Sequence, residues 1–264
     1  MSPTLSTLET LARQAGEILR AGYTPRPGFC QSIQVNHKGV IDLVTEIDHR
    51  SEAFLLGEIR RLFPTHSIEA EESGSLQGNE AQRWFIDPLD GTINYAHGVP
   101  LFTVSLAYAE NGVLQLGAVY DPIQDECFSA ERGRGATLNG EPIRVSQVSS
   151  LTNSLVVTGF PYDIRTNPKN NLDNFARLSL LSQAVRRLGS AALDLAWVAA
   201  GRFECFWEVR LKSWDIAAGA LLVQEAGGVV TNLFGGADFI SPPQSILAAN
   251  PLIHPLMLGA LATP

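Results

Sequence analysis

Asp87 and Asp90 stand three positions apart in the stretch IDPLDGTINYAHG (86–98), with Pro88 between them and Gly91 and Thr92 directly after. At that spacing, one turn of chain, both carboxylates can face a single point. Pro88 fixes φ between them and removes a donor. Gly91 lets the backbone come close to a ligand. Thr92, Ile93 and Asn94 then begin a short helix, whose first N–H groups and positive dipole end suit a phosphate. Carboxylates for hard cations beside a backbone cradle for an anion are the parts of a phosphoryl-transfer site. The plain alternative is a Pro-Gly turn with solvated aspartates.

Three other acidic segments bear on that choice. EAEESG (69–74) sets Glu71 beside Glu72 just after a strand. DLVTEID (42–48) flanks an apolar core with Asp42 and Asp48. Trp214 and Asp215 open an apolar helix. Each has a plain alternative: solvated charge for the glutamates, and helix N-caps for Asp48 and Asp215.

The chain that must position these residues has 264 residues, 45% of them apolar and 17% charged. It can bury a full core as one large or two small domains. Its formal charge of −8 comes with no basic run, which argues against nucleic acid or an anionic membrane as a partner. An anionic small substrate is compatible with it, because bound cations reverse the local sign. Cys30, Cys127 and Cys205 are odd in number and far apart, so neither a disulfide framework nor a zinc motif is expected. The start of the chain lacks signal-peptide features and no apolar run approaches the ~18 residues of a membrane span. These features predict a cytoplasmic protein.

Leu5, Leu8, Leu11, Ala12, Ala15, Ile18 and Leu19 recur at helical spacing and predict a first helix ending near Gly22, with Ser6 and Glu9 as its capping box. A second helix is expected from Asp48 to Phe63, stopped by Pro64. RWFI (83–86) reads as the buried strand that delivers the aspartates. VSLAYA, LQLGAVY and ECFSAE read as a meander, with hairpin turns at Asn111-Gly112 and Asn139-Gly140. Beyond about residue 150 the pattern mixes strands (SLVVTG, FECFWE, GVVTNL, SILAAN) with helices (172–183, SAALDLAWVAAG, and WDIAAGALLVQEAGG ended by Gly227). Layered sheets and helices follow, in two lobes: an N-terminal α+β lobe over 1–145 and a C-terminal α/β lobe over 146–264.

WFIDPLDGTINY (84–95), followed later by WDIAAGALLVQEAGG (214–228), resembles the two signature motifs of the inositol monophosphatase family. EAEES and DLVTEID lie in the matching order and spacing. LARQAG (11–16) and RRLGSAALDLAWVAAGR (186–202) are also similar to family segments, so the resemblance covers nearly the whole chain.

The resemblance implies a magnesium-dependent, lithium-sensitive phosphatase, commonly a homodimer, with the layered α-β-α-β-α sandwich of the sugar phosphatase fold. Carried onto matching positions, Glu71, Asp87 and the Leu89 carbonyl would hold a first Mg²⁺. Asp87, Asp90 and Asp215 would hold a second, and a weaker third would lie near Glu71. Thr92, Asp48 and Glu71 would serve catalysis. In that scheme a cation activates a water, Thr92 hydrogen-bonds it, and Asp48 takes the proton. Backbone N–H groups of Gly91 and Thr92 would hold the phosphate. Asp90, Glu208 and the Gly189-Ser190-Ala191 backbone would meet the leaving alcohol, and Lys38 would help order the loop before Asp42.

Inositol monophosphate is the expected substrate. Fructose bisphosphate, histidinol phosphate and a phosphorylated nucleotide are rivals on the same site. A role from another class, a phosphate-sensing or protein-binding module without catalysis, predicts a damaged site. The remaining residues take plain readings: scattered histidines as structural or surface groups, the cysteines as core thiols, and Trp197, Phe203, Phe206 and Trp207 as packing. Asp121 and Asp125 are expected to be solvated, and Arg186 and Arg187 to be strand-end charges, with pairing across a subunit interface or steering of phosphate as the alternative for one of them.

Overall fold

In a computed structural model the described residues are 2–23, 35–37 and 43–262. The expectations for Cys30, Lys38 and Asp42 fall outside them. The first helix, α1, spans Leu5–Gly22 and buries Leu8, Leu11, Ala12, Ala15 and Leu19. Its cap is Thr4, whose Oγ1 accepts from the Thr7 N–H, and not the expected Ser6. β1 (Val35–His37) and β2 (Leu43–Thr45) pair antiparallel and lead into α2 (Glu46–Leu62).

The next strands are β3 (His66–Ala70), β4 (Gly74–Leu76) and β5 (Asn79–Asp90). The short helix α3 (Thr92–Ala96) follows, then β6 (Thr103–Glu110), β7 (Val113–Asp121), β8 (Glu126–Glu131), β9 (Gly135–Leu138) and β10 (Glu141–Ile143). These make an eight-stranded sheet in the order β10-β9-β8-β7-β6-β5-β3-β4. Asn111-Gly112 and Asn139-Gly140 take positive φ at both residues, as tight hairpin turns of a right-twisted ribbon require. Asp121 is a correction. It is fully buried, not solvated, and it accepts from the Ile123 and Gln124 N–H groups and from the Gln124 amide. Asp125 is exposed and pairs with Arg13.

The second half contributes β11 (Leu155–Thr158), α4 (Leu172–Leu181), β12 (Ala184–Arg186), α5 (Ala191–Ala199), β13 (Cys205–Val209), α6 (Ser213–Glu225), β14 (Val229–Thr231), β15 (Ser245–Ala249) and α7 (His254–Leu261). Its five strands run β12-β11-β13-β15-β14. Helices α1 and α2 cover one face of the large sheet. Helices α5 and α6 fill the space between the sheets, and α4 and α7 cover the far face of the small one. The layers are therefore α-β-α-β-α, as the motifs imply.

Each layer boundary holds its own core. Trp84, Phe102 and Leu55 pack under α1 and α2. Phe128, Phe206, Leu195 and Leu221 form the central cluster. Trp207, Cys205 and Met257 pack on the outer side. The alanine-rich faces of α5 and α6 follow from that central position. Gly219 lies so close to Leu195 that a Cβ would sit 2.4 Å from the leucine Cβ. Small side chains let two buried helices approach each other and both sheets.

Candidate active site

The aspartates of the opening stretch share a face because of a β-bulge, not a helical turn. On β5 and β6, Asp87 pairs with Ser105 and Asp90 with Thr103, so three steps on one strand oppose two on the other. The extra residue turns Asp90 back to the face that Asp87 already uses. The bulge is braced, since Ser51 Oγ donates to the Pro88 carbonyl at 3.0 Å and the Leu89 N–H donates to Asp87 Oδ1 at 3.0 Å. Gly91 then takes φ 97°, where a Cβ would also lie 2.9 Å from the Leu101 carbonyl oxygen. Only glycine fits both demands.

Two other elements bring carboxylates to this face. Glu71 follows β3, with its N–H donating to the Ile86 carbonyl. Asp215 lies in the first turn of α6, where its Oδ2 accepts from the Lys212 N–H at 2.7 Å. Lys212, and not Asp215, holds the N-cap position. Burial raises the Asp87 carboxyl well above the usual range, and Glu71, Asp90 and Asp215 raise it further. Asp215 is raised by burial, then by Glu71 and Asp90. Asp90 is pushed up to about 6 by burial against hydrogen bonds from Ser190 and α5 N–H groups.

Four carboxylates that oppose one another's ionisation call for protons or a cation. Their all-oxygen donors suit a hard divalent ion such as Mg²⁺. As the side chains stand, no three His, Cys, Asp or Glu groups among the described residues converge into a finished coordination shell. Asp90 and Asp215 have an oxygen each on backbone N–H groups instead.

Asp48 lies behind this face. It is the third residue of α2, and the cap is Thr45: the Thr45 N–H and hydroxyl donate to Asp48 Oδ2, and Thr45 Oγ1 accepts from the Asp48 N–H. The other oxygen, Oδ1, accepts from Thr92 Oγ1 at 3.0 Å. The Thr92 hydroxyl also lies 3.0 Å from the Leu89 carbonyl, so one proton faces two acceptors. Burial raises the Asp48 carboxyl and these hydrogen bonds pull it back.

The far wall comes from the second half of the chain. Asp90 Oδ2 accepts from Ser190 Oγ at 2.6 Å and from the Ala192 N–H at 2.7 Å, so it ties β5 to the start of α5. Asn94 Nδ2 donates to the Leu188 carbonyl at 2.8 Å and steadies the turn at Gly189. Glu208, on β13, is pushed up to about 8 by burial, with Arg187 opposing. Its carboxylate lies directly over Gly159, where a Cβ would be 2.1 Å from Oε2. Asn171 fixes that backbone: its amide donates to the Gly159 carbonyl and its oxygen accepts from Trp207 Nε1.

Glu71, Asp87, Leu89, Asp90, Gly91, Thr92, Gly189, Ser190, Ala191, Glu208 and Asp215 all line one cavity of about 360 Å³, a size suited to a small molecule. Asp48 reaches it through Thr92. Three participants escape the sequence reading. Arg187 lines the cavity rather than ending a strand in solvent. Asp194 lines it from within α5. Glu52, one turn after Asp48 on α2, accepts from the Glu72 N–H and Ser73 Oγ and so holds the turn that carries Glu71. An acid at helical spacing from Asp48 is the only sequence signal for it. Trp207, Phe203 and Phe206 are core residues, Trp197 packs on the central cluster, and Cys127 and Cys205 are buried thiols, as expected.

A carboxylate-lined cavity between two helix-covered sheets, with a glycine-backed turn and a hydroxyl–carboxylate pair, is the arrangement of a phosphoester hydrolase. The family model for the inositol monophosphatase family matches residues 1–263, and the chain belongs to that family of phosphoric monoester hydrolases. Family members are generally Mg²⁺-dependent. The chain is 46% identical to the Nus factor SuhB of Pseudomonas aeruginosa, over 91% of this chain and 89% of that one. It is 39% identical to the inositol-1-monophosphatase of Mesorhizobium japonicum, over 100% and 97%. The structure of an inositol monophosphatase from Anabaena matches with a TM-score of 0.85 and 44% identity, over 97% of this chain and 94% of that one.

Proposed function

We propose that the protein hydrolyses inositol monophosphate to inositol and phosphate. The observation that carries this reading is the single cavity in which a cluster of carboxylates faces a second wall built around Glu208. Glu71, Asp87, the Leu89 carbonyl, Asp90 and Asp215 would hold two or three Mg²⁺ ions. When bound, those ions supply Lewis acidity toward the attacking water and the phosphate. Thr92 accepts a hydrogen bond from that water while its own proton faces Asp48, and Asp48 is the sink for the proton released. The backbone at Gly91 and Thr92 holds phosphate oxygens. Glu208 and the turn at Gly189, Ser190 and Ala191 orient the leaving alcohol.

Phosphate release by the purified protein with Mg²⁺ tests this, with inositol monophosphate, fructose bisphosphate, histidinol phosphate and phosphoadenosine phosphate compared side by side. Preference for the inositol ester supports the reading, and preference for another ester replaces its substrate. A second reading, binding of a protein partner without turnover, is favoured by the likeness to a protein named a Nus factor. Release from none of the esters, with Mg²⁺ bound, would leave that reading standing. We further propose a cytoplasmic homodimer whose lobes divide at 145/146. No helix among the described residues is long and apolar enough to cross a membrane, in keeping with that location.

A further inference from the structure

Asp194 occupies the first half of α5, where its N–H donates to the Ser190 carbonyl. The residue is only 1% exposed, yet it is among those that line the cavity. Its Oδ1 has no hydrogen-bond partner. Nearly all buried polar atoms in folded proteins are partnered, and a carboxylate oxygen left alone is among the least tolerable exceptions. A core helix in this position would be better served by leucine unless the partner arrives with a ligand.

The charged groups around Asp194 narrow that ligand. They are Asp90, Glu208 and Arg187. An apolar alcohol would leave Oδ1 still unpartnered. A cationic alcohol would compete with Arg187 for the same carboxylates. A neutral alcohol with several hydroxyl donors satisfies Oδ1 without adding charge.

Resting on the reading that this cavity holds a phosphate monoester, we propose that Asp194 is a specificity-determining residue that, with Glu208, accepts hydrogen bonds from hydroxyl groups of a neutral polyol leaving group. Asp194 thereby selects polyol esters over esters of apolar or cationic alcohols. Sequence reading passes over it because an acid within LDLAWV has the spacing of an ordinary helix residue.

The test is a ratio: kcat/KM for inositol monophosphate divided by kcat/KM for phenyl phosphate, with histidinol phosphate as a third substrate. The ratio is independent of the active fraction, so a partly unfolded variant still reports. Asp194→Leu should lower the polyol-to-phenyl ratio by roughly tenfold to a hundredfold, mainly through KM. Asp194→Ala should do the same, and Asp194→Asn, which keeps an acceptor oxygen, should restore most of the ratio. Asp194→Leu should also melt no lower than wild type, since it removes an unpartnered polar group. An unchanged ratio overturns the inference, as does a loss confined to histidinol phosphate. Failure of the wild type on all three esters overturns the functional reading and this inference with it. A wild type active on the inositol ester with an unchanged ratio in the variants sinks the inference alone.

Discussion

Thr92 Oγ1 donates to Asp48 Oδ1 at 3.0 Å across a separation of 44 residues, joining the helix after the bulged strand to the first turn of α2. The pair should act as a unit, because without the Asp48 acceptor the hydroxyl turns to its other acceptor, the Leu89 carbonyl. Thr92→Val or Asp48→Asn should each lower kcat by roughly 10²–10⁴. The double variant should be no slower than the worse single one. Steady-state kinetics at saturating Mg²⁺ measure this, and additive losses would dissociate the pair.

Glycine substitutions should separate folding from function. Gly91→Ala must hold a side chain at φ 97° and against the Leu101 carbonyl. It should lower the melting temperature and abolish activity together. Gly159→Ala meets only the movable end of Glu208. That variant should keep its melting temperature within a few degrees while KM for the inositol ester rises, as thermal denaturation and kinetics will report.

The opposed carboxylates should make the fold respond to cations. Adding Mg²⁺ should raise the thermal midpoint, by an amount set by mass action: about 2.7 kcal/mol at a hundredfold excess over Kd. Asp87→Asn removes the carboxylate that Glu71, Asp90 and Asp215 all oppose. It should melt higher than wild type without Mg²⁺ and gain less when Mg²⁺ is added. A chelator titration read by calorimetry distinguishes these cases.

His66 gives a pH dependence of stability. Its Nδ1 accepts from Trp84 Nε1 at 3.1 Å, and an indole nitrogen can only donate, so that nitrogen must stay unprotonated. Burial lowers the His66 pKa. A lowered folded value means that the unfolded chain binds the proton first as pH falls. The stabilising contribution is therefore complete above about 6.5 and is lost as pH drops below it. The stability advantage of wild type over His66→Gln should narrow between about pH 7.5 and about pH 5.5. Urea unfolding of both proteins measures the difference.

Glu52 should matter through Glu71 alone. Glu52→Gln keeps an acceptor for the Glu72 N–H but weakens the hold on Ser73. It should raise the Mg²⁺ concentration needed for half-maximal activity by a few-fold, with kcat at saturating Mg²⁺ little changed. Glu52→Ala, which removes both acceptors, should raise that concentration further.

Local chemistry was legible in the residues themselves. Apolar spacing marked α1, Pro64 marked the end of α2, Asn-Gly pairs marked two hairpins, and the eleven lining residues were implied by the resemblance to the family. The helix and hairpin signals are short-range, because they depend on turn geometry or on one helix face.

Other features were decided only by tertiary structure. The β-bulge that turns Asp90 to the face of Asp87 exists because β6 supplies a partner one residue shorter there. Thr45 takes the cap from Asp48, which frees one carboxylate oxygen for Thr92. Arg187, Glu52 and Asp194 gained their places from packing between elements distant in the chain. Burial between two sheets is a property of the whole fold, and it alone turns a helix aspartate such as Asp194 from a surface charge into a cavity-lining residue with an unpartnered oxygen.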